Sequence, residues 1–154
     1  MQQTVQKFGA ILFWLAWPAF WLFSPHRPRT RVLVTAGGKV LVVKGLISTG
    51  KWSLPGGGLH RGEEPLTGAL RELAEETGLR LRRDQLAPPF TRVSREHGLR
   101  APTSYFAAQL THAADVRKQF LEITDVAWVP RSALHSQNSA REVLEALGVP
   151  AIRE

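Results

Sequence analysis

The chain of 154 residues contains no cysteine. That excludes disulfides, cysteine-ligated zinc and a thiol nucleophile, and leaves the redox compartment open. Its few histidines lack the short paired spacings of a metal-binding set. Surface or loop positions are therefore expected for His60, His97, His112 and His135, and a linker position for His26. Acidic residues are missing from the first 31 positions, where Lys7, Arg27, Arg29 and Arg31 supply +4 of a net +7. The rest of the chain is only modestly basic, so no nucleic-acid groove is expected on it. Neither an internal repeat nor a low-complexity tract is present. The length suits one domain with a real core.

A long apolar run is also missing, in the strict sense. Residues 8–23 are uncharged and include Trp14, Trp17 and Trp21. As a helix they would span about 24 Å, against roughly 30 Å of bilayer hydrocarbon. Pro18 would kink such a helix. The run has no polar face, which argues against a surface-lying amphipathic helix. Leu22-Phe23-Ser24-Pro25 is a poor cleavage site, which argues against a secretory signal. The expectation is an N-terminal apolar helix within residues 1–24 that anchors the chain in a membrane, spanning with distortion or deeply embedded; a buried core helix is the competitor. Arg27, Arg29 and Arg31 outweigh Lys7 and would place the following domain in the cytoplasm. A soluble cytoplasmic protein is the alternative. Pro25 and Pro28 keep residues 25–30 extended as a linker. The domain itself is read as residues 31–150.

Within it, residues 31–36 and 39–44 read as strands around a Gly37-Gly38 hairpin turn. Residues 79–82 read as a short strand, 90–95 and 103–110 as strands, 96–100 as a turn, and 111–123 as a polar loop or short helix. Residues 125–129 read as a strand ended by Pro130. Residues 132–134 and 139–147 read as helical, with Gly148 as the stop. Trp52 reads as a core anchor in preference to a substrate contact. The alternation of elements makes the class α/β.

The most informative stretch runs from Gly57 to Leu79. Pro65 suits a first helical turn and Gly78 a helix stop. Between them Leu66, Ala69, Leu70, Leu73 and Thr77 form one apolar stripe at helical spacing. Glu72 and Glu76 flank the stripe, and Glu75 lies further round, towards solvent. Gly68 falls between Glu72 and Glu75 one turn earlier, where open space is expected. Three carboxylates so close repel one another unless a cation neutralises them. Oxygen donors of this kind suit Mg²⁺ or Mn²⁺. A solvated acidic face, balanced by Arg71 and Arg80, is the bland alternative.

Gly57, Glu63, Arg71, Glu72, Leu73, Glu75, Glu76, Gly78 and Leu79 stand at the spacings Gly-x5-Glu-x7-Arg-Glu-U-x-Glu-Glu-x-Gly-U, with U an aliphatic residue. This stretch resembles the Nudix box without a departure. Seven fixed identities at roughly 7% each arise by chance on the order of once in 10⁸ starting points. The lead-in Trp52-Ser53-Leu54-Pro55-Gly56-Gly57 is similar to that of many Nudix proteins. The resemblance covers about residues 31–148 and implies the Nudix fold, a mixed β-sheet between helices. It also implies hydrolysis of a diphosphate joined to another group.

Carried over position by position, the resemblance makes Glu72, Glu75 and Glu76 metal ligands, with the Gly57 carbonyl as a further one. It makes Glu63, Arg71 and Gly78 structural, with Glu63 and Arg71 bracing loop and helix. The family takes its general base either from the box or from a later loop. Glu72 is thus ligand, base or both, Glu75 shares the catalytic cluster, and Glu122 is the best later candidate, ahead of Asp115 and Glu96. An ion pair is the plain alternative for Glu122.

Isoprenoid isomerases related to this family use a catalytic cysteine, which is missing here. The downstream proline of ADP-ribose hydrolases, the tyrosine of dinucleoside polyphosphate hydrolases, the NADH-type motif and the coenzyme A signature are missing too. By elimination the expected substrate is a small phosphoanhydride, a nucleoside triphosphate or a nucleoside diphosphate-linked compound. The competing readings are a catalytically silent nucleotide sensor, a hydrolase of a lipid-linked diphosphate and a hydrolase of RNA ends. The oligomeric state is left open.

Overall fold

The computed structural model describes residues 27–46, 50–96, 99–118 and 122–148. The apolar run at residues 8–23 therefore lies outside the described residues. Among the described residues no helix is long and apolar enough to cross a membrane.

Strand β1 (Arg29–Ala36) and strand β2 (Lys39–Gly45) form a hairpin in which Thr35 faces Val40 and Ala36 faces Lys39. Gly37 and Gly38 turn it with φ of 53° and 76°. Both φ values are positive, as a type I′ turn requires and glycine permits. Strand β3 (Phe90–Glu96) pairs antiparallel with β4 (Leu99–Leu110), and β4 runs parallel to β1. Strand β5 (Ile123–Pro130) closes the other side against β2. The result is one mixed five-stranded sheet in the order β3-β4-β1-β2-β5.

Helices cover both faces of that sheet. Helix α1 (Pro65–Thr77) puts Ala69 and Leu73 against Val32, Val34, Leu41, Phe106 and Ala108. On the opposite face Val143 of α2 (Arg141–Ala146) meets Val40, Val42, Leu54, Tyr105, Leu134 and Leu147. Burial on two sides explains why Val40 to Val43 are all apolar and all buried. Trp52 packs at the edge of the α2-side core, with the Lys44 ammonium 4.1 Å from its ring centroid.

Three local expectations change. Residues 79–82 join no ladder; Leu79 and Leu81 face the α1-side core while Arg80 and Arg82 face outward, and a 3₁₀ turn at Arg83–Gln85 follows. Their alternation reflects one-sided burial rather than strand pairing. Strand β4 begins at Leu99, because the ladder with β3 continues to Glu96 facing Leu99. Gly68 borders no open space: a Cβ there would fall 2.3 Å from Leu59 Cδ2. Leu59, from the loop before α1, fills that position and locks the loop onto the helix.

Candidate active site

The loop at Pro55–Gly58 lies directly on β1. Val32 N–H donates to the Pro55 carbonyl and Thr30 N–H to the Gly57 carbonyl, each at 2.9 Å. Gly56 has a φ of 139°, and a Cβ on it would stand 2.1 Å from the Thr30 carbonyl oxygen. Only glycine permits that approach. A Cβ on Gly57 would stand 2.6 Å from Glu72 Oε1, so the loop backbone and the α1 carboxylate are in contact. Gly78 ends α1 in the left-handed region, its N–H donating to the Ala74 carbonyl at 3.0 Å. Thr77 Oγ1 donates to the Leu73 carbonyl and accepts from Leu79 N–H, which closes the last turn.

Arg71 organises the loop side. Its guanidinium grips both oxygens of Glu63, each at 2.9 Å, and donates to the Gly58 carbonyl at 3.2 Å. Glu63 also accepts His60 N–H at 2.8 Å. The Arg71 guanidinium holds the Glu63 carboxyl well below the usual range, at about 2. Such a fork gives geometry as well as energy. A further Arg71 nitrogen reaches Glu72 Oε1 at 2.9 Å and Glu75 Oε2 at 3.0 Å.

The carboxylates that α1 itself carries behave differently. Burial pushes the Glu72 carboxyl up in spite of Arg71, and Glu75 adds repulsion. Burial pushes Glu76 up to about 8; Arg31 and the Gly56 N–H oppose the rise, while Glu72 and Glu122 add to it. The Gly56 N–H donates to Glu76 Oε2 at 2.8 Å. Glu122 rises as well, from burial and then from Glu75. Glu122, from the turn before β5, thus joins the box glutamates, and no basic side chain among the described residues offsets its charge. Asp115 is exposed.

Glu72, Glu75, Glu76 and Glu122 therefore feel one another's charge. Among the described residues no three such groups form a ready-made metal cage. Arg71 explains part of this, because it engages Glu72 and Glu75 itself. Mg²⁺ commonly binds through one or two carboxylates, waters and substrate phosphates, not through an all-protein cage. Hard oxygen donors from carboxylates and a backbone carbonyl fit such an ion. The Gly57 carbonyl accepts one hydrogen bond from Thr30 and retains a second lone pair.

One residue near this site was missed. Arg31 reads from sequence as part of a basic flank to the apolar run, but in the fold its side chain is buried. It donates to the Gly56 carbonyl and lies 3.4 Å from Glu142 Oε1 of α2. Its charge reaches both Glu72 and Glu76. The available signal was its place in β1, where it points to the same face as Leu33.

The model of the NUDIX domain matches residues 25–150. A MutT-like protein of Streptomyces ambofaciens is 39% identical over 64 residues, 42% of this chain and 41% of that protein. An RNA pyrophosphohydrolase of Rhodospirillum rubrum is 45% identical over 57 residues, 36% of this chain and 34% of that protein. The chain thus spans about two fifths or less of the length of these relatives. Among solved structures, a MutT NUDIX hydrolase from Burkholderia pseudomallei superposes with a TM-score of 0.65 at 21% identity, covering 80% of this chain and 96% of that one. A bifunctional NMN adenylyltransferase/ADP-ribose pyrophosphatase from Francisella tularensis, solved with AMP and a Mn ion, gives 0.66 at 21% identity, covering 87% and 44%. At that identity the likeness concerns the fold.

Proposed function

The chain belongs to the Nudix family, and from that premise we propose that it is a divalent-metal-dependent pyrophosphohydrolase. Its substrate is a nucleoside triphosphate or a compound linked to a nucleoside diphosphate. The observation that carries this reading is the cluster of Glu72, Glu75, Glu76 and Glu122, three of them held above the ordinary carboxylate range. A structural ion-pair network would push carboxylates the other way, as Arg71 does to Glu63.

Glu72, Glu75 and Glu76, with the Gly57 carbonyl, are the groups that would hold Mg²⁺ or Mn²⁺. Bound there, the ion supplies charge neutralisation for the diphosphate and acidifies water. Arg71 holds Glu72 and Glu75 beside the loop, and the Gly56 N–H holds Glu76. Glu122 takes the proton of the attacking water. Burial and the nearby Glu75 raise its carboxyl, which makes it a stronger base than an ordinary carboxylate. The water oxygen bonds to phosphorus, the bridging P–O bond breaks, and the leaving phosphate carries away that electron pair. Glu72 is the other carboxylate able to take the proton, and its contact with Arg71 opposes that role.

The test is phosphate release by the full chain across a panel, with Mg²⁺ and with Mn²⁺. The panel holds nucleoside triphosphates, nucleotide sugars, dinucleoside polyphosphates, prenyl diphosphates and 5′-triphosphorylated RNA. Turnover that disappears in Glu75→Gln/Glu76→Gln supports the hydrolase and ranks the substrates. Nucleotide binding without turnover on any member favours a sensor. The uncharged run at residues 8–23 is the reason to include prenyl diphosphates, and turnover of them alone would move the assignment to a lipid-linked diphosphate.

A further inference from the structure

Arg31 is expensive to place. An arginine whose side chain is only 11% exposed loses most of its hydration. It lies on the α2 face of β1, beside Leu33 and across from Tyr105 of β4, both of the α2-side core. A buried ion pair is weak evidence for stability, because desolvation offsets much of the attraction. Its contacts lead to the site instead. The guanidinium donates to the Gly56 carbonyl, which fixes the peptide plane on the N-terminal side of Gly57. The next residue back along β1, Thr30, fixes the Gly57 carbonyl itself through its N–H. Glu142, its side chain 9% exposed, holds the guanidinium from α2. The Gly56 N–H, at the other end of the same residue, donates to Glu76. An unbroken chain of polar contacts therefore runs from α2 to a box carboxylate: Glu142, Arg31, Gly56, Glu76.

We propose that Arg31, anchored by Glu142, is a positioning residue that sets the Gly56-Gly57 backbone and Glu76 for cation binding. The inference rests on the metal-dependent reading above. It makes α2 part of the site's support, although α2 contributes no ligand. Charge and positioning predict opposite signs for removing Arg31. Loss of a nearby positive charge, taken alone, tightens cation binding. Loss of a brace weakens it.

The experiment is calorimetric Mn²⁺ titration of the full chain, wild type against Arg31→Lys, Arg31→Met and Glu142→Gln. Circular dichroism melts establish that each variant is folded at the titration temperature. Arg31→Lys keeps the charge and loses the fork, so it is expected to weaken Mn²⁺ binding about 10–100-fold, the range typical of lost outer-shell support. Arg31→Met is expected to weaken it at least as much, and Glu142→Gln by less in the same direction. If Arg31→Met does not fold, Arg31→Lys and Glu142→Gln decide. Wild-type affinity in both, or tighter binding in Arg31→Met, overturns the proposal. A wild type that binds no Mn²⁺ overturns the metal reading itself, a separate and distinguishable failure.

Discussion

Glu63 and Glu76 are the same residue type, each accepting a backbone N–H of the same loop, and their carboxyls are driven in opposite directions. Glu63 meets the full fork of Arg71 and a backbone N–H, and its pKa falls to about 2. Glu76 is buried, with two other carboxylates close enough to be felt; Arg31 and one backbone N–H oppose the rise without cancelling it, and its pKa stands at about 8. The paired side is complete in itself: every charge there has a partner inside the protein. On the other side burial and neighbouring carboxylates outweigh the compensation that the protein supplies, which is the ground for the cation proposed there. Within a single sequence motif, the same side chain is thus held ionised in one place and pushed towards its neutral form in another.

The sharpest way to break the comparison is to remove the carboxylate assigned to proton transfer. Glu122→Gln is expected to lower kcat about 10²–10⁴-fold while leaving the Mn²⁺ isotherm close to wild type. A drop in metal affinity of similar size would make Glu122 a ligand and return the base to Glu72. On the paired side, Glu63→Gln removes one charge of the fork and leaves Arg71 short of a partner. A loss of about 2 kcal/mol in a urea melt is expected, with a smaller loss of turnover. Gly68→Ala pushes a methyl group into Leu59 and is expected to cost about 1–3 kcal/mol by the same measurement.

The pH dependence should split the two sides most gently and most informatively. Glu76 sits above the unfolded carboxylate value of 4.5, so the metal-free fold binds more protons than the unfolded chain between pH 4.5 and about 8. Its contribution is full below 4.5 and is lost as pH rises through 8. Glu63 has the reverse sign: its contribution is present above 4.5 and is lost as pH falls toward about 2. Thermal melts across this range should show the neutral-side decline flattened by Mg²⁺ and absent in Glu76→Gln. A decline unchanged in Glu76→Gln would assign it to another group.

Much of this was legible in the residues. The spacing from Pro65 to Gly78 marks α1 and its buried stripe, and Ala69, Leu73 and Thr77 are indeed buried. The Gly37-Gly38 hairpin is equally direct, because few residues other than glycine tolerate two successive positive φ values. What stayed hidden depended on contacts distant in sequence. Arg31 looks like any basic residue near a linker until Gly56 and Glu142 are brought to it from 25 positions on and from the last helix. Leu59 in the space beside Gly68 is a packing event between loop and helix that helical periodicity does not encode. Leu79 and Leu81 alternate like a strand because one side is buried, and periodicity alone does not tell burial from pairing.

The most direct measurement is Mn²⁺ binding to the full chain at pH 7, followed calorimetrically in two buffers of different ionisation enthalpy. Binding with net proton release is expected, because burial holds the Glu76 carboxyl up at about 8 without the ion, and a smaller release in Glu76→Gln. Binding without proton release, or release unchanged in Glu76→Gln, would contradict the claim that the unpaired side of α1 is completed by a cation.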